Sequence, residues 1–197
     1  MTDPIAFLLA VFALLAVPGP TNTLLAASGA SVGFRRSVAI IPAEIGGYAI
    51  AIALLMAVFG PLATAHPVLT ILTRLAASLY LAWSAVSLWR HAAASGDGVR
   101  GPITFRRVFV TTLLNPKALV FAFVIFPPSG DAHLALLAAL FAVLVVTIAA
   151  GWIGFGALVA RSASSIATPA RISQLAAVAM SVFAVLIGTS AITAAFA

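Results

Sequence analysis

Six apolar stretches of about twenty residues, joined by short polar links, leave this chain few ways to fold. They cover residues 4–28, 38–60, 68–89, 108–126, 134–160 and 172–195. A helix of that length spans the roughly 30 Å hydrocarbon core of a bilayer. In hydrocarbon, every backbone N–H and C=O must find its partner within the protein, and a helix satisfies this within each segment. The composition agrees: 63% of residues are hydrophobic and 7% charged, where soluble domains carry about 25% charged residues. The predicted fold is all-α, a polytopic membrane protein with six transmembrane helices in one domain, residues 1–197. No polar stretch is long enough for a separate soluble domain.

Charge placement predicts orientation. Arg35 and Arg36 fall between the first and second segments. Arg90, Arg100, Arg106 and Arg107 fall between the third and fourth, and Arg161 and Arg171 between the fifth and sixth. The alternate links hold Asp3, His66, Asp131 and His133, with no Lys or Arg. By the positive-inside rule the arginine links face the cytoplasm and both termini face outward. The net charge of +6 then reads as a topology signal and a contact with anionic lipid, not as a nucleic-acid surface. The N-terminal Met-Thr-Asp-Pro lacks a positive n-region, so the first helix is expected to be uncleaved. With no cysteine, disulfides, thiolate metal sites and dithiol relays are excluded.

Proline interrupts two of the six segments. Pro18-Gly19-Pro20 lies inside the first, and Asn115-Pro116 inside the fourth. Proline removes a donor and clashes with the preceding turn. The freed carbonyls are tolerated at membrane depth only where protein or a water-filled cavity surrounds them. Two readings stand: a packing kink, or a site. Three segments, a polar hinge at residues 93–104 and three more segments make two halves, about 1–92 and 105–197, with the second inverted by the odd number of crossings. Breaks at matching positions of two inverted three-helix repeats point to a transporter site near the midplane. Gly60-Pro61 and His66-Pro67 are expected to close the second helix and open the third. Residues 127–131 are expected to form a tight turn.

Three ionisable residues lie within segments: Glu44, Arg74 and Lys117. Such a residue is a functional hypothesis in its own right. Glu44 lies about 10 Å and Lys117 about 15 Å from the cytoplasmic end of its helix. They could meet as a charge pair, serving transport or only fixing two helices together. Arg74, about 10 Å from the opposite end, is expected to snorkel to the interface. Thr21 and Asn22 follow the first break. If helix resumes there, Thr21 or a neighbour caps a half-helix whose N–H groups could hold a carboxylate. Lys117 would add positive charge, and Glu44 could take a substrate ammonium or a coupling proton. A zwitterion such as an amino acid suits that arrangement. Tyr48 shares a helix face with Glu44, and Gly46 and Gly47 allow close approach. Tyr80 and Trp83 line a pocket or simply pack. Gly151, Gly154 and Gly156 read as a small-residue packing face, within one chain or across a homo-oligomer. No metal-ligand cluster, catalytic triad or phosphate loop is visible, so no cofactor, resident metal or catalytic residue is expected.

Three blocks carry a resemblance: PGPTNTLLAASGASVGFRRS from Pro18 to Ser37, YLAW from Tyr80 to Trp83, and LLNPKALVFAFVIFP from Leu113 to Pro127. In this order and spacing the chain resembles the LysE/RhtB family of bacterial amino-acid exporters over nearly its whole length. The resemblance implies six helices, export of amino acids or related metabolites across the bacterial inner membrane, and use of the proton motive force. The family's Pro-Gly-Pro falls on Pro18, Gly19 and Pro20, and its Asn-Pro-Lys on Asn115, Pro116 and Lys117. The chain departs from the pattern at Ala77 and Val108, where members often carry glycine, and at Pro127-Pro128-Ser129. Glu44 matches no general family feature.

The reading that joins these points is a non-enzymatic secondary transporter working by alternating access. It exports a small zwitterion, coupled to protons, through a site of Pro18, Gly19, Pro20, Thr21, Asn22, Glu44, Tyr48, Asn115, Pro116 and Lys117. Two readings compete: a metal or inorganic-ion exporter, and a membrane scaffold without a transported substrate. Glu44 is the one acid within a segment, whereas hard cations want several oxygen ligands.

Overall fold

The computed structural model describes residues 3–92, 101–127, 131–161 and 169–196. These are helical almost throughout, without a strand. The first apolar segment forms two arms, α1 (Pro4–Ala16) and α2 (Pro20–Val32), bent by 63° at the break between them. A short turn, α3 (Phe34–Ser37), and a 3-10 turn (Val38–Ile40) lead into α4 (Ile41–Ala65) and then α5 (Pro67–Ala92). In the second half, α6 (Phe105–Leu113) meets α7 (Lys117–Val120) and its π-helical continuation (Phe121–Ile125) at a bend of 50°. The long α8 (Leu134–Arg161) and α9 (Pro169–Ala195) follow. The order broken, long, long thus recurs in both halves. Phe34–Pro61 and Leu134–Arg161 are each long and apolar enough to cross a membrane, and each bent pair makes one further span by the same measure. The described apolar parts of α5 and α9 are shorter, Ile71–Ser87 and Met180–Ala195. The architecture is that of a polytopic helical membrane protein. Most of the predicted hinge and of the turn at 127–131 lies outside the described residues.

Local chemistry sets the helix ends. Asp3 accepts a hydrogen bond from the Ile5 N–H at 2.9 Å, with Pro4 in the first turn, where a missing N–H costs nothing. Pro20 opens α2 in the same way. Gly33 ends α2 at φ +82°, and its N–H closes the last turn onto the Gly29 carbonyl. Only glycine takes that backbone region without strain. Thr104 caps α6 by accepting from the Arg107 N–H.

One expected boundary is corrected. Gly60-Pro61 does not close the second helix: α4 runs on to Ala65 with Pro61 inside it, and the break comes at His66. An interior proline forfeits one helical hydrogen bond.

Glycines set how closely the helices cross. A methyl group on Gly29 would lie 2.0 Å from the Ile153 carbonyl oxygen, and one on Gly156 would lie 1.9 Å from that of Ala26. α2 and α8 therefore cross backbone to backbone. Gly47 brings α4 against α6, where a methyl would meet Thr112 Cβ at 2.7 Å. α5 and α9 pack along each other's length, Gly188 facing Ser78 while Ser78 Oγ donates to the Ala184 carbonyl at 2.8 Å. The three α8 glycines do not form the single packing face expected of them. Gly156 makes the crossing with α2 and Gly154 faces the Phe34 ring, but Gly151 is exposed with nothing near its Cβ position.

Three apolar clusters organise the interior. The largest holds five rings in edge-to-face contact, Phe7, Tyr48, Phe121, Phe126 and Phe141, with centroids 4.9 to 5.9 Å apart. A second, aliphatic cluster gathers Leu24, Leu25, Ile41, Ala43, Val108, Ala149 and Ile153. The third is small: Val17, Ala85, Ala177 and Met180, with Phe183 against it.

Candidate functional site

A buried polar layer lies between the aromatic and the aliphatic clusters, and three separate elements cross it. The first segment passes from Leu15 in the aromatic cluster through Thr21 and Asn22 to Leu24 in the aliphatic one. α4 passes from Ile41 and Ala43 through Glu44 to Tyr48 and Ala51. The fourth segment passes from Val108 through Thr112, Asn115 and Lys117 to Phe121. These polar side chains are all buried, Glu44 to 2% exposure and Lys117 to 1%. The site therefore joins both proline breaks and the acidic turn of α4.

At the first break, hydrogen bonds replace those the prolines forfeit. Asn22 Nδ2 donates to the Leu15 carbonyl at 2.8 Å and to that of Val17 at 2.9 Å. Both acceptors are carbonyls, which fixes the amide orientation. Lys117 Nζ also donates to the Val17 carbonyl, from the other half of the chain. The ammonium thus sits at the C-terminal, partly negative end of α1. Asn22→Leu should leave Val17 with Lys117 but orphan the Leu15 carbonyl. The expected cost is about 1–3 kcal/mol, read as a lower thermal midpoint in detergent. Asn22→Asp should cost more, because it sets carboxylate oxygens against carbonyl oxygens.

At the second break, Asn115 does the joining. Its Oδ1 accepts from the Lys117 backbone N–H at 3.1 Å, where α7 begins, so its amide nitrogen must point the other way. That nitrogen donates to Thr21 Oγ1 at 3.1 Å and to Tyr48 Oη at 3.2 Å. Thr112 Oγ1 donates to the Val108 carbonyl at 2.9 Å, so in its 3.2 Å contact with Thr21 the Thr21 hydroxyl is the donor. Four elements, α2, α4, α6 and the second break, are tied by one amide and three hydroxyls.

The sequence expectations meet this geometry unevenly. Thr21 does not cap the half-helix: Gly19 is the N-cap of α2, without a side-chain bond, and the Thr21 hydroxyl serves the link to α6. The Thr21 and Asn22 backbone N–H groups lie in the uncapped first turn of α2. Pro18, Gly19, Pro20 and Pro116 shape the breaks. A methyl at Gly19 would stand in ordinary contact, 3.4 Å from Lys117 Cε and Nζ and 4.0 Å from Met180 Cε. Gly19 is extended, at φ −155° and ψ −178°, a backbone any residue adopts. Glu44 and Lys117 are not a contact ion pair. No bridge within 4.0 Å joins them among the described residues. Glu44 Oε2 is buried without a hydrogen-bond partner. The Tyr48 hydroxyl proton and two of the three Lys117 ammonium protons likewise have no acceptor among the described residues.

Outside the layer, Trp83 is 62% exposed and does not line the site, though its ring meets that of Tyr80. Arg74 is half-buried on α5, and its Nε is shielded without an acceptor among the described residues. Among the described residues no three His, Cys, Asp or Glu side chains gather as metal ligands. Thr112 and Met180 escaped the sequence reading, since an isolated threonine or methionine in an apolar helix carries no local signal.

The LysE type translocator family matches residues 12–195. The chain belongs to that family. The matched range contains both breaks and the polar layer. Membership of a transporter family sets this LysE-type protein among membrane translocators. No curated protein and no solved structure matches it.

Proposed function

We propose that this LysE-type translocator is a secondary transporter that exports amino acids, or related small zwitterions, across the bacterial inner membrane with both termini outside. One observation carries the reading: an acidic and a basic side chain, Glu44 and Lys117, are both buried in one polar layer without a contact between them. A buried ion costs several kcal/mol even after relaxation. A contact pair would repay part of that within the protein, whereas separated charges are best repaid by a ligand bearing both signs. The substrate carboxylate is assigned to Lys117 and the uncapped first turn of α2, beside Gly19. The ammonium is assigned to Glu44 and Tyr48. Asn115, Thr21 and Thr112 hold the two breaks in register around it. Glu44, the one acid of the layer, is also the group to carry a coupling proton when substrate leaves. A metal or inorganic-ion exporter would need more than one carboxylate there. Alternating access follows by parting the aromatic cluster on one side of the layer, or the aliphatic cluster on the other.

The test is efflux from proteoliposomes loaded with labelled amino acids, with and without an imposed pH gradient. Protein-dependent efflux that the gradient accelerates, and that Glu44→Gln uncouples from it, is the expected result. No efflux of any amino acid under either condition would overturn the proposal.

A further inference from the structure

A second intramembrane cation, Arg74, stands apart from the polar layer. It lies on the stripe of α5 that carries Ala77, Ser78, Leu81 and Ala85, a spacing that keeps all five on one helix face. The three apolar members are buried, so this is the face that α5 turns to the bundle. Ala85 belongs to the third cluster with Val17, whose carbonyl holds Lys117. Leu81 and Ala77 belong to the aromatic cluster, together with Ala184 and Ile187 of α9. Ser78 faces Gly188 and donates to the Ala184 carbonyl. One turn further, Arg74 comes level with Ala191, itself fully buried. Arg74 thus stands about 16 Å along α5 from the level of Lys117, just beyond the aromatic cluster and toward the outer face in the orientation proposed above.

Arg74 has no anion of its own. Its Nε is shielded without an acceptor, and no carboxylate lies within 4.0 Å of it among the described residues. The chain has four acids, and each is placed elsewhere. Asp3 accepts from the Ile5 N–H at the start of α1, and Asp131 meets His133. Glu44 lies in the polar layer. Asp97 follows the far end of α5, which is about 27 Å along the helix from Arg74. A guanidinium inside a span without an acidic side chain beside it is an open fork for an oxyanion, which it can hold by two parallel hydrogen bonds.

We infer that Arg74 is a second oxyanion site, which takes the carboxylate of the exported solute when the aromatic cluster parts and Lys117 releases it. The inference rests on the export reading above and adds to it a binding step on the outward path. A carboxylate that left Lys117 for apolar surroundings would lose its partner and meet no water, a heavy desolvation cost. With Arg74 on the far side of the rings, it passes from one cation to another. A phosphate of an outer-leaflet lipid has the same chemistry and is the competing ligand.

The chain has no cysteine, so Arg74→Cys places its only thiol at this position. In proteoliposomes the variant should lower efflux of labelled amino acids roughly tenfold, the scale of one lost charge-assisted hydrogen bond. The cationic aminoethyl methanethiosulfonate, added to the medium, should restore most of that loss, and the anionic sulfonatoethyl reagent should not. Restoration in protein already inserted rules out a folding defect. Wild-type efflux through Arg74→Cys, or the same response to both reagents, overturns the inference and leaves amino-acid export standing. Arg74→Gln separates the two sources of oxyanion. For a solute carboxylate, half-saturation of exchange by external unlabelled amino acid should need roughly tenfold more of it. For a lipid phosphate, half-saturation stays at the wild-type value, and the inference falls. If wild type moves no amino acid, the site is read in non-ionic detergent with succinate as the probe. Succinate should raise the thermal midpoint of the Glu44→Gln, Lys117→Met double variant, whose polar layer holds no ionisable acid or base but Tyr48, and adding Arg74→Gln should abolish the rise. That result keeps the oxyanion site and removes the amino-acid reading alone, whereas no rise overturns the site as well.

Discussion

Lys117→Met is expected to lower amino-acid efflux by roughly 10- to 100-fold while the protein still inserts and stays folded. A hydrogen bond to a charged group is worth about 1.5–3 kcal/mol, and every 1.4 kcal/mol is about tenfold in binding. Lys117 is the one basic side chain among the buried residues of the polar layer, so its loss should fall on substrate binding. The Val17 carbonyl that Lys117 holds is also held by Asn22, so the break itself should persist. The substitution keeps the length of the chain but leaves Glu44 buried without a basic side chain in its layer, which costs stability, whereas apolar or neutral replacement of both groups is often neutral or stabilising. The expected observation is a thermal midpoint in detergent that is lowered in Lys117→Met and restored when Glu44→Gln is added, beside an efflux rate near the background of empty liposomes in both. Adding Glu44→Gln to Lys117→Met should leave the protein folded and inactive. A scaffold without substrate would show no phenotype in that double variant. Unimpaired efflux through Lys117→Met would remove the lysine from the site altogether.

Gly156→Ala should be far more damaging to the fold than its single methyl suggests. That methyl would lie 1.9 Å from the Ala26 carbonyl oxygen, and the obstacle is backbone, which no rotamer change can move. Ordinary overpacking costs about 1–3 kcal/mol, and this contact should reach or exceed the top of that range. The damage should travel, because α2 carries Thr21 and Asn22, and pushing it from α8 pulls both from Asn115 and from the α1 carbonyls. Gly151→Ala is the matched comparison. Its Cβ position faces open space, and alanine favours helix over glycine by about 1 kcal/mol. Expression of monodisperse protein and its thermal midpoint should collapse for Gly156→Ala and hold or rise for Gly151→Ala. Equal behaviour of the two would mean that α2 and α8 do not cross as described.

The two proposed roles of Glu44 separate by pH. If it only attracts the ammonium, Glu44→Gln should weaken binding where Glu44 is ionised and approach wild-type binding as falling pH protonates the wild-type carboxyl. If it also carries the proton, the variant should still exchange labelled for unlabelled substrate but no longer respond to an imposed gradient.

Much of the architecture is legible without coordinates, because it depends on single positions. A run of twenty apolar residues needs a bilayer or an equivalent interior, wherever it stands in the chain. Pro18 and Pro20 lack N–H groups in any context, and so does Pro116, which is why both bends fall where the residues place them. Pro61 shows the limit of that logic. It has the same missing donor as the others, yet α4 passes through it, because surroundings decide whether a lost hydrogen bond breaks a helix or is merely absorbed. Gly151, Gly154 and Gly156 show it again. Their spacing is a packing signal, but only one of the three meets another backbone.

Sequence alone, then, determined the apolar spans, the two proline breaks and the short set of polar residues inside the membrane, each through the local chemistry of the residue concerned. Tertiary structure decided their partners. Lys117 reaches a carbonyl 100 residues away, Asn115 reaches a hydroxyl 94 residues away, and Glu44 stands apart from the lysine it was expected to pair with. A buried donor takes whichever acceptor the packing of helices brings within 3 Å or so. That packing was set by Gly29 and Gly156, by Gly47, and by the rings around Tyr48, far along the chain from the charges they position.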